Sequence, residues 1–337
     1  MAITINDLAR MANTSIATVS RVLNNKPGVT DSTRQRVSAL AEQLGYRPNR
    51  IAQNLALQKS HVLGFIAADL QNPFYILFFR RVQHQVAKLG YQVLIADSEQ
   101  DVEFEKRNIE IMLQHRAEGL MIFPVHDWKV QTGADHLLEL RLRKFPFVVV
   151  GRVEGLMADS VTSNETDTAY QETKHLLDLG HRRIGFIGAD NENRCARERL
   201  EGVQRALEAN GCQLDPAHVI PLQQGWEGQM IAMLSRPSRP TALVIVNDVC
   251  AMIAYRPLLQ AGLRIPQDIS IATFDNSLWT SHLLPTLTTT EENLEEIARV
   301  SVELLLKRID NNDRPAEEHL VPQAFIPRES TAAPVLV

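Results

Sequence analysis

The sequence predicts two unlike parts: a small all-α head, and behind it an α/β core of two similar subdomains, each built on a parallel sheet. Two observations carry this. Over residues 4–57 apolar side chains recur at helical spacing with short gaps between the stripes, and from residue 61 near-continuous apolar runs alternate with stretches of helical length. Strand, helix, strand in succession means parallel sheets covered on both faces. The order runs twice, over about 61–160 and about 161–290. A chain of 337 residues, 45% hydrophobic and 22% charged, has ample material for more than one core.

The head is read element by element. Thr4 is placed to cap a first helix with Asp7 in capping-box position, and Ile5, Leu8, Ala9 and Ala12 form its apolar stripe. Only Asn13 and Thr14 separate it from a second helix, S-I-A-T-V-S-R-V-L from Ser15 to Leu23. Ser15 can accept from the orphan amides at that helix's start. Val19, Val22 and Leu23 share one face, which leaves Ile16, Ala17, Thr18 and Arg21 on the other. Two helices joined by so tight a turn have the shape of a helix-turn-helix, whose second helix offers its first residues to base edges in the DNA major groove. Arg21 suits a guanine, while Ile16 and Ala17 offer only apolar contact, as to a thymine methyl. A plain amphipathic hairpin, with Ile16 in the core and Arg21 a solvated charge, competes with this reading.

A third helix is signalled by Thr30 as cap, by Val37, Leu40, Ala41 and Leu44 on one face, and by Gly45 as its stop. Pro48 then breaks the chain, and Asn49 can cap a helix of about two turns in Y-R-P-N-R-I-A-Q-N-L-A-L-Q-K-S, residues 46–60. Isolated helices under ~12 residues are marginal, so this one needs a partner.

The runs T-I-N-D-L-A-R-M-A, T-V-S-R-V-L-N-N, V-T-D-S-T-R-Q-R-V and L-G-Y-R-P-N-R-I-A-Q-N-L-A together resemble the DNA-binding region of the LacI/GalR family of transcriptional repressors. The resemblance implies that the short fourth helix folds when two subunits meet on an operator, and that Leu55 from each wedges into the minor groove. It also implies base reading by Ile16, Ala17 and Arg21, and sets Ala52, Gln53 and Ala56 beside the wedge. Phosphate contacts fall to Thr4, Ser15, Thr18, Asn24, Thr30, Thr33, Tyr46 and Asn49. Asn13 and Thr14 depart from the family's glycine and valine in the turn. Asparagine tolerates the left-handed conformation that glycine would supply, while Thr14 puts a hydroxyl at a normally buried spot.

Charge agrees with a nucleic-acid partner. Residues 1–60 hold eight Lys or Arg against three Asp or Glu, in a chain whose net charge is −5. A basic head on an acidic body suits salt-dependent phosphate binding at one end of the molecule. Cys195, Cys212 and Cys250 are odd in number and lack C-x-x-C spacing, which argues for a reduced compartment and against a zinc site. With no basic-then-apolar leader and no run of 18 apolar residues, a cytoplasmic protein without membrane contact is expected.

Strands are expected at Val62–Ala68, Tyr91–Ala96, Gly119–Phe123, Phe147–Val150, Ser160–Thr162, Arg183–Ile187, His218–Leu222, Ala242–Val246 and Ile269–Phe274. The stretches D-L-Q-N-P-F-Y, L-G-H-R-R-I-G-F-I-G, R-L-E-G, V-N-D, G-L-R-I-P-Q-D-I-S-I and P-T-L-T-T resemble the periplasmic-binding-protein-like effector domain of the same family, so the likeness covers essentially the whole chain. It implies three crossings between the halves, with the helix near 291–309 returning to the first. The expected domains are a DNA-binding head at 1–46, a hinge at 47–60, a first subdomain at 61–160 and about 291–322, and a second at 161–290 and about 323–337.

Ligands of open parallel sheets bind beyond the carboxyl ends of the strands. Asp69, Asn247, Asp248 and Asp275 follow strands there, and such groups pair with vicinal hydroxyls, although capping a helix is the plainer use of an Asp or Asn after a strand. Arg199 matches the family's effector-contacting arginine in R-L-E-G. Phe74, Tyr75 and Trp226 are candidate apolar walls. Arg194, Arg197 and Arg199, with Arg152 placed nearby, hint at an acidic effector such as a sugar acid or phosphate.

Enzyme readings find no support: neither a phosphate-binding loop, a dinucleotide fingerprint, H-E-x-x-H nor G-x-S-x-G occurs, and no cofactor is expected. The reading is a homodimeric repressor whose operator binding is switched by a small polar molecule, a sugar or sugar acid. The C-terminal E-S-T-A-A-P-V-L-V lacks the heptads of tetrameric family members, so a dimer is expected. The alternative is a sugar-binding protein without regulatory role.

Overall fold

The computed structural model describes residues 3–46, 60–125, 134–190 and 193–335, which fall into two compact units that part between Ser60 and His61. In the first, α1 (Ile5–Met11), α2 (Ile16–Leu23) and α3 (Asp31–Gln43) pack their apolar stripes into a small core of Leu8, Ala9, Ala12, Val19, Val22, Val37 and Ala41. Each helix starts on a hydroxyl cap. Thr4 and Asp7 close a reciprocal capping box, Ser15 Oγ accepts from the Thr18 amide at 3.1 Å, and Thr30 Oγ1 accepts from the Thr33 amide at 3.4 Å. The turn between α1 and α2 rests on Asn13 at φ +47°, the left-handed conformation expected of it. Gly45 takes φ +59° just past the end of α3.

The second unit holds two six-stranded sheets. The first contains β1 (Val62–Ala67), β2 (Gln92–Asp97), β3 (Gly119–Ile122), β4 (Phe147–Val150) and β5 (Asp159–Thr162), with helices α4 (Pro73–Ala87), α5 (Val102–Gln114) and α6 (Asp135–Leu142) between them. After α7 (Glu165–Asp178) the second follows: β6 (Ile184–Ala189), α8 (Arg194–Ala209), β7 (Val219–Pro221), α9 (Trp226–Leu234), β8 (Ala242–Ile245), α10 (Asp248–Gln260), β9 (Ser270–Thr273) and β10 (Thr288–Glu292). The chain then gives α11 (Leu294–Asp310), β11 (Glu318–Leu320) and β12 (Gln323–Ile326). Strand orders are β11-β5-β4-β3-β1-β2 and β12-β10-β9-β8-β6-β7, parallel throughout except for the β10–β12 pair. The fold class is therefore the expected one, a helical head and two parallel-sheet subdomains.

The last three strands go beyond what the sequence pattern predicts. Thr288–Thr290 is β-branched but polar, and β11 and β12 are edge strands of only three and four residues. α11 packs against α4 and against β3, β4 and β5 of the first sheet, where Ile297, Ala298, Leu304 and Leu305 complete the core around Phe65, Phe78 and Met121. Its end is locked by a buried charge cluster. Asp159 receives Arg308 Nε and Nη2 at 2.8 and 2.9 Å, Arg314 Nη2 at 2.7 Å and the Glu317 amide at 2.9 Å.

Among the described residues, no helix is long and apolar enough to cross a membrane.

Candidate nucleic-acid interface and ligand cleft

In the head, burial of Val19 and Val22 turns the other face of α2 outward. Ile16 is 48% exposed, and Ala17 and Arg21 are also exposed. Ile16 therefore lies outside the small core, on the same outward face as Ala17 and Arg21. The competing hairpin reading requires Ile16 to be core, and it is not. Thr4, Ser15, Thr18, Thr30 and Thr33 lie at the amino ends of the three helices, where free amides and the helix dipole favour anions. Asn24 ends α2, and Tyr46 packs against the small core. The remaining DNA-contact expectations, Asn49, Ala52, Gln53, Leu55 and Ala56, lie outside the described residues.

In the second unit a cavity of about 330 Å³ opens where the carboxyl ends of the two sheets face each other. One wall is aromatic: Phe74 and Tyr75, at the start of α4, meet Phe123 edge-to-face with ring centroids 5.6 and 5.0 Å away. The floor of the opposite side is Arg199. Its Nε donates to Glu165 Oε2 at 2.7 Å, Nη1 to the Val246 carbonyl at 2.5 Å and Nη2 to Asp275 Oδ1 at 3.2 Å. The guanidinium lies 4.2 Å above the Phe274 ring, and Glu292 Oε1 is 3.8 Å away. The R-L-E-G stretch explains how this is built. A Cβ at Gly202 would run into the Thr166 carbonyl and Ala169 of α7, so the bare glycine lets α8 lie close on α7 and carries Arg199 to Glu165.

Asp275 sits at φ +84° just after β9, and its Oδ2 accepts from Asn72 Nδ2 of the first half at 3.4 Å. Asn72 also caps α4, accepting from the Phe74 amide at 2.9 Å. Asp69 accepts from the Gln71 amide and from Gln100. Asn247 lines the cavity and caps α10 through the Cys250 amide at 2.8 Å, so the capping and lining roles coexist in one side chain. Asp248 is buried and accepts from the Ser277 amide at 2.7 Å. Burial raises Asp275 to about 6 despite Arg199, and raises Glu292 to about 8 with Glu165 and Asp275 adding to the effect. Burial likewise lifts Asp248, and Glu172 of α7 well above the usual carboxylate range.

Of the expected cleft residues, Asp69, Phe74, Tyr75, Arg194, Arg199, Asn247 and Asp275 thus line one cavity, and Asp248 and Arg197 are not part of its lining. Trp226 and Arg152 are placed elsewhere. Trp226 opens α9 with its ring packed in the second subdomain's core, because a side chain of that size gains more from burial there than from a wet wall. Arg152 is exposed and pairs with Glu318 on β11 at 3.8 Å, outside this cavity. The arginine cluster does not form a free anion site either: Arg194 is neutralised by Glu198 through two contacts of 2.9 Å, and Arg199 by Glu165 and Asp275. Sequence reasoning misses Asn72, Glu165 and Glu292. Asn72 and Glu165 follow strand ends, the signal used for Asp69, while Glu292 ends a strand that the pattern does not foretell.

Comparison with known proteins bears on both sites. Residues 4–49 match the family described as bacterial regulatory proteins, lacI family, and residues 173–331 match the periplasmic binding protein-like domain. The chain is 30% identical to the ribose operon repressor of Haemophilus influenzae over 97% of this chain and 98% of that one, and 29% identical to the transcriptional regulator DegA of Bacillus subtilis over 98% and 99%. Among solved structures, the lac repressor dimer bound to operator and the anti-inducer ONPF superposes with a TM-score of 0.87 at 26% identity, covering 99% of this chain and all of that one. A LacI family transcriptional regulator of Enterococcus faecium with bound ribose gives 0.69 at 26%, covering 81% and 99%. With the helix-turn-helix head, the twin parallel sheets and full-length similarity all in one polypeptide, the chain belongs to the lacI family of bacterial regulatory proteins and is a DNA-binding transcriptional regulator.

Proposed function

We propose that this protein is a homodimeric repressor in the cytoplasm whose grip on a pseudo-palindromic operator is set by a small polyhydroxylated ligand in the cleft, without catalysis. The observation that carries the reading is the cavity itself, where an aromatic wall faces Arg199, Asp275 and Asn247 in a chain that also bears a DNA-reading helix. One structural neighbour holds ribose and one relative is a ribose operon repressor, which supports a ligand of sugar size. Exposed Leu278, Trp279 and Leu284 in the second subdomain, and Leu94 and Ile95 on the edge strand β2, offer apolar surface for a second copy.

In this reading residues 1–46 are the head and 47–60 the hinge. Residues 61–160 with about 291–322 form the first subdomain, and 161–290 with about 323–337 the second. Ile16, Ala17 and Arg21 read bases, Thr4, Ser15, Thr18, Asn24, Thr30, Thr33, Tyr46 and Asn49 hold phosphates, and Leu55, flanked by Ala52, Gln53 and Ala56, wedges the minor groove. A ligand between Asn72 and Asp275 favours one angle of the halves, and a coupling of about 1–3 kcal/mol is enough for a usable switch. The test is to select operator fragments from random duplexes with the purified chain, then titrate sugars into the complex. A ligand-dependent change in operator affinity is expected, and a chain that selects no sequence overturns the reading.

A further inference from the structure

The cavity lining is out of electrical balance. The carboxylates of Asp69, Glu165, Asp275 and Glu292 line it against two guanidiniums, Arg194 and Arg199. Arg194 is neutralised from outside the lining by Glu198, and Arg199 is shared by Glu165, Asp275 and, at 3.8 Å, Glu292. Neither lysine nor histidine lines it among the described residues. These carboxylates are also shielded: the side chains of Glu165, Asp275 and Glu292 are 3%, 7% and 11% exposed, so bulk water does little to dissipate their mutual repulsion. A further anion in this space meets repulsion from the carboxylate side. A cation meets compensating charge there and the rings of Phe74, Tyr75 and Phe123 across the cavity, and carboxylates beside aromatic rings are a combination by which proteins hold ammonium groups.

We infer that Glu165 and Glu292 are specificity-determining residues that make the cleft select a polyol bearing a protonated amine, of the amino-sugar class, over its neutral and acidic counterparts. This rests on the reading of the cavity as the effector site and names the ligand's charge. The high proton affinity of Asp275 and Glu292 is set first by burial and raised further by neighbouring carboxylates, Asp248 and Glu165 at Asp275 and Glu165 and Asp275 at Glu292, so an ammonium seated among them would draw their protons off. A preference for cations also explains why the arginines around position 199 are tied to carboxylates instead of being left open to a phosphate or sugar acid.

The test uses the full-length protein and matched triplets: each common hexose or pentose, its amino-deoxy form and its aldonic acid, screened by thermal shift and then by calorimetry at pH 7. Amines are expected to bind at least tenfold more tightly than their neutral partners, with the acids weakest. In Glu292→Gln and Glu165→Gln, which preserve shape, the amine should lose at least tenfold more affinity than its neutral partner, and equal losses for the two overturn the inference. Neutral or acidic members binding as well as the amines overturn the inference and leave the effector-site reading standing. Absence of binding by any triplet overturns both. Melting of the unliganded variants within a few degrees of the parent shows that they fold.

Discussion

The amide of Asn72 and the carboxylate of Asp275 meet at 3.4 Å across the cleft, joining the start of α4 in the first subdomain to the end of β9 in the second. Because Asn72 also holds the first turn of α4 through the Phe74 amide, a ligand that takes over Asp275 acts on a helix of the opposite half. Asp275→Ala should abolish the ligand response, and Asn72→Ala should weaken it about tenfold, with operator affinity in the absence of ligand nearly unchanged. Calorimetry and a gel-shift titration report the two effects separately; a normal response in Asp275→Ala removes this residue from the switch.

Arg21 projects from α2 beside exposed Ile16 and Ala17. Arg21→Ala should relax one operator position by about 1–3 kcal/mol in a base-substitution series, since a bidentate arginine discriminates by that amount. Leu55→Ala should weaken specific binding much more than binding to random duplex. Equal losses on the two kinds of DNA would contradict the wedge.

Gly202 is the point at which α8 touches α7. Adding one methyl there forces the helices apart, which overpacking data put at about 1–3 kcal/mol, and it moves Arg199 from Glu165. Gly202→Ala should therefore lower the melting temperature and lose ligand affinity, whereas an alanine at Gly228, with open space around it, should do neither.

Asp159 is wholly buried beneath two guanidiniums, Arg308 and Arg314. Asp159→Asn should destabilise the second unit by about 3–5 kcal/mol in denaturant unfolding, because removing one side of a buried ion pair strands the other. Adding Arg308→Met to that variant should recover part of the loss.

Glu292 gives a pH signature. Its carboxyl holds a proton up to about 8 in the folded chain, against an ordinary value of 4.5, owing to burial first and then to Glu165 and Asp275. Below about 4.5 both states are protonated and the residue is harmless. As pH rises through the window from about 4.5 to about 8 the unfolded chain ionises while the folded one resists, so stability falls until it levels off above 8. Glu292→Gln should raise the melting temperature by several degrees at pH 8.5 and by almost nothing at pH 4.5; a gain independent of pH would show that Glu292 is not the group responsible.

Much of the architecture is legible because burial imposes a period. The runs that become β1, β3, β4, β6 and β8 are strands since a strand covered on both faces can tolerate little else, and the caps Thr4, Ser15 and Thr30 announce their helices by hydroxyl and spacing. What escapes is set by partners distant in sequence. β11 and β12 exist because β5 and β10 present them with free edges, which three or four residues of chain cannot advertise. That gap propagates into the site: Arg152, expected in the cleft, pairs with β11 instead, and Glu292 lies hidden at the end of β10. Trp226 misleads for a different reason, since aromatic character alone does not distinguish a wall from a core.

The return of α11 to the first sheet bears on how the chain is made. Ile297, Leu304 and Leu305 seal a face whose strands β1 to β5 leave the ribosome within the first 162 residues, yet that helix ends only at Asp310. The earlier-born half must therefore wait, greasy side uncovered, until the whole second sheet up to β10 has been made. Nascent chains stalled before codon 294 should bind hydrophobic-surface chaperones that release them once that segment emerges.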